Sequence, residues 1–202
     1  MLDGRARQAI NPALDAGGRA LARVGLSADA VTIAGFGVGI AAAVAIVAGQ
    51  FWLGLALILF SRLADGLDGA IAKINGRTDL GGYLDIVLDF AFYGLIPLAF
   101  VIHDPAANGV AGAVLLAAFY ANGASFLAFA TMAAKRGMSS EARGPKSLFF
   151  TTGLAEATET ILVFAAFCIW PDWFALIAYA FAAVTAYTTV SRLVFAWRVL
   201  RD

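Results

Sequence analysis

Six apolar runs, at about residues 30–49, 51–73, 80–102, 109–133, 148–170 and 173–197, are each long enough to cross a bilayer as a helix. Short breaks separate them: Gly49-Gln50, Asn75-Gly76, Asp104-Pro105, the polar stretch 135–146 and Pro171-Asp172. Composition agrees, since the chain is 61% hydrophobic and 14% charged with a mean hydropathy of +0.83. A soluble domain carries about 25% charged residues. The expected fold is therefore all-α and integral to the membrane, with six transmembrane helices. One domain spans 1–202, in which 1–26 form an N-terminal amphipathic interfacial helix and linker and 27–202 the six-helix bundle. Residues 3–23 alternate Ala, Leu and Ile with Arg and Asp, as a helix lying on a leaflet would.

The cations set the orientation. Arg5, Arg7, Arg19, Arg23, Lys73, Arg77, Lys135, Arg136, Arg143, Lys146, Arg198 and Arg201 fall on one side, and only Arg62 and Arg192 lie within spans. The loops near 49–51, 103–109 and 170–173 contain no Lys or Arg. By the positive-inside rule both termini are cytoplasmic. The first 25 residues lack a long apolar core, so no cleavable signal peptide is expected. The single cysteine, Cys168, reads as helix filler.

Against this apolar background, residues 65–89 place four aspartates on two helical runs either side of a turn near Asn75-Gly76. Asp65 and Asp68 are i,i+3 and Asp85 and Asp89 are i,i+4, so each pair shares a helix face. If the runs fold back antiparallel at about 1.5 Å per residue, all four carboxylates meet at one level. Four converging carboxylates need counter-charge, and hard divalent cations are the usual solution. Two such ions would clamp a pyrophosphate, and one carboxylate with less metal contact could act as general base toward a hydroxyl. Gly66, Gly69, Ala70, Ala72, Gly81 and Gly82 allow close approach of helices or ligand, and Lys73 offers a point charge for phosphate oxygens.

The pattern Asp65-x2-Asp68-Gly69-x2-Ala72-Lys73-x7-Gly81-x3-Asp85-x3-Asp89 resembles the signature of the CDP-alcohol phosphatidyltransferase (CDP-alcohol phosphotransferase) family. Six spans, an N-terminal interfacial helix and the segment Ser27 to Thr32 opening the first span are similar to that family too. The resemblance implies a membrane enzyme that transfers a phosphatidyl group from CDP-diacylglycerol to the hydroxyl of an acceptor alcohol, releasing CMP. It implies two divalent ions, Mg²⁺ or Mn²⁺, ligated by Asp65, Asp68 and Asp85, with Asp89 contacting the second ion and accepting the proton. Gly69 and Thr78 would lie against the cytidine and Lys73 near the nucleotide phosphates, while Asp29, Ala30, Val31 and Thr32 would meet the CDP-lipid. A homodimer in a bacterial inner membrane is implied, and no nucleic-acid partner. Two positions depart from the family: Lys73 stands where Arg is usual, and Asp29 where many members have Asn.

Other charged residues admit more than one reading. Glu156 and Glu159 share a face at i,i+3; a buried Glu159–Arg62 pair is the preferred expectation, with a place in the acceptor pocket as the rival. The basic loop of Lys135, Arg136, Arg143 and Lys146 suits topology and anionic lipid, or a phosphorylated acceptor such as glycerol 3-phosphate. His103 and the aromatics Phe51, Trp52, Trp170, Trp173 and Phe174 are expected at the outer interface. Two other functions use similar chemistry. An aspartate-rich membrane prenyltransferase would show two separated acidic motifs, and a cation transporter would thread polar residues toward the outer face.

Overall fold

The structure is a computed structural model describing residues 2–138 and 157–201, with side chains from Ile10 onward. Its described residues form seven α-helices: α1 (Leu2–Arg23), α2 (Ala28–Val47), α3 (Phe51–Asn75), α4 (Asp79–His103), α5 (Pro105–Lys135), α6 (Ala157–Ile169) and α7 (Phe174–Leu200). A single 3₁₀ turn, Pro171–Trp173, joins α6 to α7. Four segments are long and apolar enough to cross a membrane: α2, α4, α5 and Pro171–Leu200. Helix α3 is 25 residues long but carries Arg62, Asp65, Asp68 and Lys73, and α6 is described over only 13 residues.

Local chemistry fixes where the helices begin. Ser27 Oγ accepts from the Ala30 N–H, Thr78 Oγ1 from Gly81 N–H and Asp104 Oδ1 from Ala107 N–H, each filling a donor that the first helical turn leaves open. Asp104 also closes α4, and Pro105 takes the first position of α5, where a missing N–H costs nothing. The α3–α4 connection turns at Gly76, whose φ of +96° would strain a side-chain-bearing residue. Helix α2 packs on both α3 and α4. Helix α5 packs on α4 and α7, and α1 lies along α3.

The helices close around an aromatic core at the end of the bundle away from the aspartates. Phe100, Phe164, Phe167 and Phe174 are fully buried with Ile46, Ile58, Ile96 and Leu115. Phe100 stacks on Phe174 at 5.1 Å between centroids and on Phe51 at 5.7 Å. Phe174 and Phe51, expected among the interfacial rings, thus belong to the core and its edge, because the short turns carry them inward. Trp52, Trp170 and Trp173 remain exposed. His103 Nδ1 donates to the Val47 carbonyl at 3.1 Å and its ring meets Phe51 edge-on, tying the ends of α2 and α4 together. Cys168 is buried, as filler should be.

Candidate active site

At the opposite end of the same helices, one carboxylate oxygen from each of Asp65, Asp68 and Asp85 lies within 4.8 Å of the other two. The α3–α4 turn therefore brings the two acidic runs together as their spacing requires. Asp68 is buried, Asp65 half-buried and Asp85 exposed, so the cluster grades from protein interior to open surface. The Oδ2 atom of Asp68 is buried without a hydrogen-bond partner among the described residues, an arrangement that is costly unless something cationic answers it. Three all-oxygen ligands at this separation, one of them orphaned, fit a hard divalent ion.

The fourth carboxylate, Asp89, lines the same recess as Asp65 and Asp85. Asp89 lies a helical turn beyond Asp85, about 5–6 Å along the axis, and its Oδ1 takes Arg62 Nη1 at 2.5 Å. The same nitrogen is 3.4 Å from Asp65 Oδ1. The expected partner of Arg62 is Glu159, and here the structure corrects the sequence. The guanidinium instead meets Asp65 one turn along its own helix and Asp89 of α4. Its side chain is only 11% exposed, and it lies over the Phe92 ring at 3.9 Å from the centroid. Glu159 sits in α6, and Glu156 lies outside the described residues.

A recess between α2, α3 and α4 is lined by Arg62, Asp65, Asp85 and Asp89, with Thr32 and Phe36 of α2 as its third wall. Ser61 anchors that wall, donating from Oγ to the Gly35 carbonyl at 2.8 Å where the two helices cross. Sequence reasoning places neither Ser61 nor Arg62 at the site. The only signal available is a charged residue deep in an apolar run, one turn before the first aspartate.

The remaining residues singled out above separate by neighbour. A Cβ placed on Gly81 would come within 2.8 Å of Asp29 Oδ1 and 3.0 Å of Thr78 Oγ1, so Asp29 sits against the start of α4, where the helix dipole favours a carboxylate. Ala30 and Val31 follow in the first turn of α2, and the Thr32 hydroxyl donates to the Ala28 carbonyl at 3.0 Å. Gly69 faces open space, as a backbone approached by a ligand should. Gly66 does not, because Leu14 of α1 already fills its place: a Cβ there would lie 2.8 Å from the leucine side chain. Lys73 Nζ is 3.6 Å from Asp15 Oδ1 of α1, an exposed pair at the rim. Of the basic loop, Arg136 donates to the Val199 and Leu200 carbonyls at the end of α7. Lys135 closes α5, while Arg143 and Lys146 lie outside the described residues.

Residues 26–191 match the CDP-alcohol phosphatidyltransferase family, and the chain belongs to that family. It is accordingly an enzyme, a transferase of phospholipid synthesis, and the prenyltransferase and transporter alternatives give way. Among curated proteins it is 42% identical over 193 residues to the Inner membrane protein YnjF of Escherichia coli K12, covering 96% of this chain and 94% of that one. It is 28% identical over 201 residues to the archaetidylinositol phosphate synthase of Methanothermobacter thermautotrophicus, covering 96% and 92%. The fold is similar to crystal structures of Mycobacterium tuberculosis phosphatidylinositol phosphate synthase. The form with CDP-DAG bound gives a TM-score of 0.71 at 24% identity, covering 91% of this chain and 93% of that one. The complex with manganese and citrate gives 0.70 at 25% identity, covering 89% and 87%.

Proposed function

We propose that this enzyme transfers the phosphatidyl group of CDP-diacylglycerol to the hydroxyl of an acceptor alcohol, with CMP as leaving group. The observation that carries the proposal is the Asp65–Asp68–Asp85 cluster, which has an orphaned buried oxygen on Asp68 and two members, Asp65 and Asp85, lining a recess between three helices. Asp65, Asp68 and Asp85 would hold divalent metal, Mg²⁺ or Mn²⁺, and Asp89 would complete a two-ion site. When bound, such ions supply charge neutralisation for a pyrophosphate as it breaks.

The chain's own groups do the rest. Asp89 is the proton acceptor for the incoming hydroxyl, since it faces the same recess as Asp65 and Asp85. Gly69, which meets no neighbour, leaves backbone free for the cytosine ring, and Thr78, which caps the start of α4, is its second contact in this reading. Asp29 to Thr32 form the lipid-side lip of the recess. Lys73 reaches the nucleotide phosphates by exchanging its rim partner Asp15 for them.

The acceptor in this reading carries a phosphate, which the basic residues after α5 would attract: glycerol 3-phosphate first, and inositol phosphate second because two of the similar proteins are inositol phosphate synthases. All of α2 to α7 cross a bacterial inner membrane, α1 rests at its cytoplasmic face with both termini inside, and the enzyme works as a homodimer. In this reading 27–202 is the catalytic unit. Membranes containing the protein, given labelled CDP-diacylglycerol, each acceptor and Mg²⁺ or Mn²⁺, should release CMP. If no acceptor elicits CMP, the proposal fails. Asp89→Asn should keep metal and nucleotide binding while turnover falls by about 10²–10⁴; undiminished turnover removes Asp89 as the base.

A further inference from the structure

Arg62 is the one cation of the described structure set inside the catalytic recess, and its contacts are too specific for a helix brace. Its Nη1 touches Asp65 of α3 and Asp89 of α4, at 3.4 and 2.5 Å. Its Nη2 lies 3.4 Å from Ser61 Oγ, the hydroxyl that ties α3 to α2. Phe92 covers the guanidinium face at 3.9 Å. The plane of the group is thus fixed by an aromatic ring on one side and by the α2–α3 crossing on another. One terminal nitrogen serves two carboxylates from different helices while the other meets Ser61 Oγ. A planar guanidinium holds all three partners in one geometry, which an ammonium on a flexible stem does not.

We infer that Arg62 is a positioning residue for the transfer reaction: it fixes the carboxylate of Asp89 toward the acceptor hydroxyl and offsets part of the negative charge on the deep side of the metal cluster. This rests on the proposed roles of Asp65 and Asp89. Two consequences follow from Coulomb's law and geometry. A permanent positive charge beside Asp65 weakens the pull of the cluster on divalent cations. Losing it should tighten metal binding while turnover suffers, because Asp89 loses its anchor. A residue that merely braced the helices would weaken binding and stability together.

The test is Mn²⁺ binding to the purified full-length protein, followed by electron paramagnetic resonance, beside thermal unfolding and the kcat and KM for CMP release. Arg62→Gln should bind Mn²⁺ about tenfold more tightly than wild type and lose kcat by at least about tenfold, with KM for the CDP-lipid little changed. Arg62→Lys keeps the charge and loses the fork, so its Mn²⁺ affinity should stay within about twofold of wild type while kcat still drops. That arm decides the matter should the Gln variant not fold: unchanged kcat in Arg62→Lys overturns the inference. Wild-type Mn²⁺ affinity in folded Arg62→Gln also overturns it, as does weaker binding accompanied by a lower unfolding midpoint. Asp68→Asn is the control for the site itself. If it binds Mn²⁺ as wild type does, the metal-site reading fails and this inference falls with it; if only the Arg62 results fail, the site reading stands.

Discussion

Helices α3 and α4 each run through two unlike environments. At one end Ile58, Ile96 and Phe100 are wholly buried among rings from α6 and α7. At the other end the same pair of helices carries Asp65, Asp68, Asp85, Asp89 and Arg62 around a recess. The aromatic end is held by dispersion and close packing between apolar side chains. The acidic end keeps a buried carboxylate oxygen and the Nε of Arg62 without hydrogen-bond partners among the described residues, each costing about 1–3 kcal/mol. A helix pair can carry such a burden at one end because the other end locks it. The difference teaches that stability and chemistry are separated along the length of these helices rather than between domains.

Substitutions at the two ends should therefore fail in opposite ways. Asp68→Asn is expected to reduce kcat/KM by about 10³-fold or more, while the thermal midpoint holds or rises, because a buried charge has been removed. A clear loss of midpoint would show that the acidic end also carries the fold. Phe100→Ala should do the reverse, costing about 3–5 kcal/mol of stability with CMP release per folded molecule nearly unchanged. A parallel loss of specific activity would mean that the two ends are mechanically coupled.

Glycines offer a finer comparison. A Cβ on Gly35 would come within 2.9 Å of the Ala64 Cβ at the α2–α3 crossing, whereas one on Gly69 would meet nothing. Gly35→Ala should cost about 1–3 kcal/mol through overpacking, measured as a shift in unfolding midpoint. Gly69→Ala should leave the midpoint in place and raise KM for the CDP-lipid severalfold; an unaltered KM would remove Gly69 from the nucleotide site. The smallest effect belongs to the rim. Asp15→Ala releases Lys73 from an exposed pair worth at most about 1 kcal/mol, and a lower KM for the nucleotide substrate is the expected sign that Lys73 was held back.

Much of this is legible along the chain. The runs at 30–49, 51–73 and 80–102 correspond to Ala28–Val47, Phe51–Asn75 and Asp79–His103. The next helix begins four residues earlier than its apolar stretch, because the Asp104 cap and Pro105 start α5 before hydropathy rises. Part of the fifth run lies outside the described residues. Spacing also announces the meeting of Asp65 and Asp68 with Asp85, since a short turn allows antiparallel helices few registers. Gly66 is less legible. A small residue announces that something comes close, but not whether it is a ligand or, as here, Leu14 of α1.

Sequence alone determined the helical, apolar character of the chain and the meeting of acidic residues from α3 and α4, because each follows from local periodicity and one short turn. Only the tertiary structure decided which partner each charge receives. Whether Arg62 answers Glu159 or Asp89, and whether Phe174 faces lipid or the core, depends on how far each helix is rotated about its own axis. That angle is fixed by side chains interlocking between helices distant in the chain, and no local pattern records it.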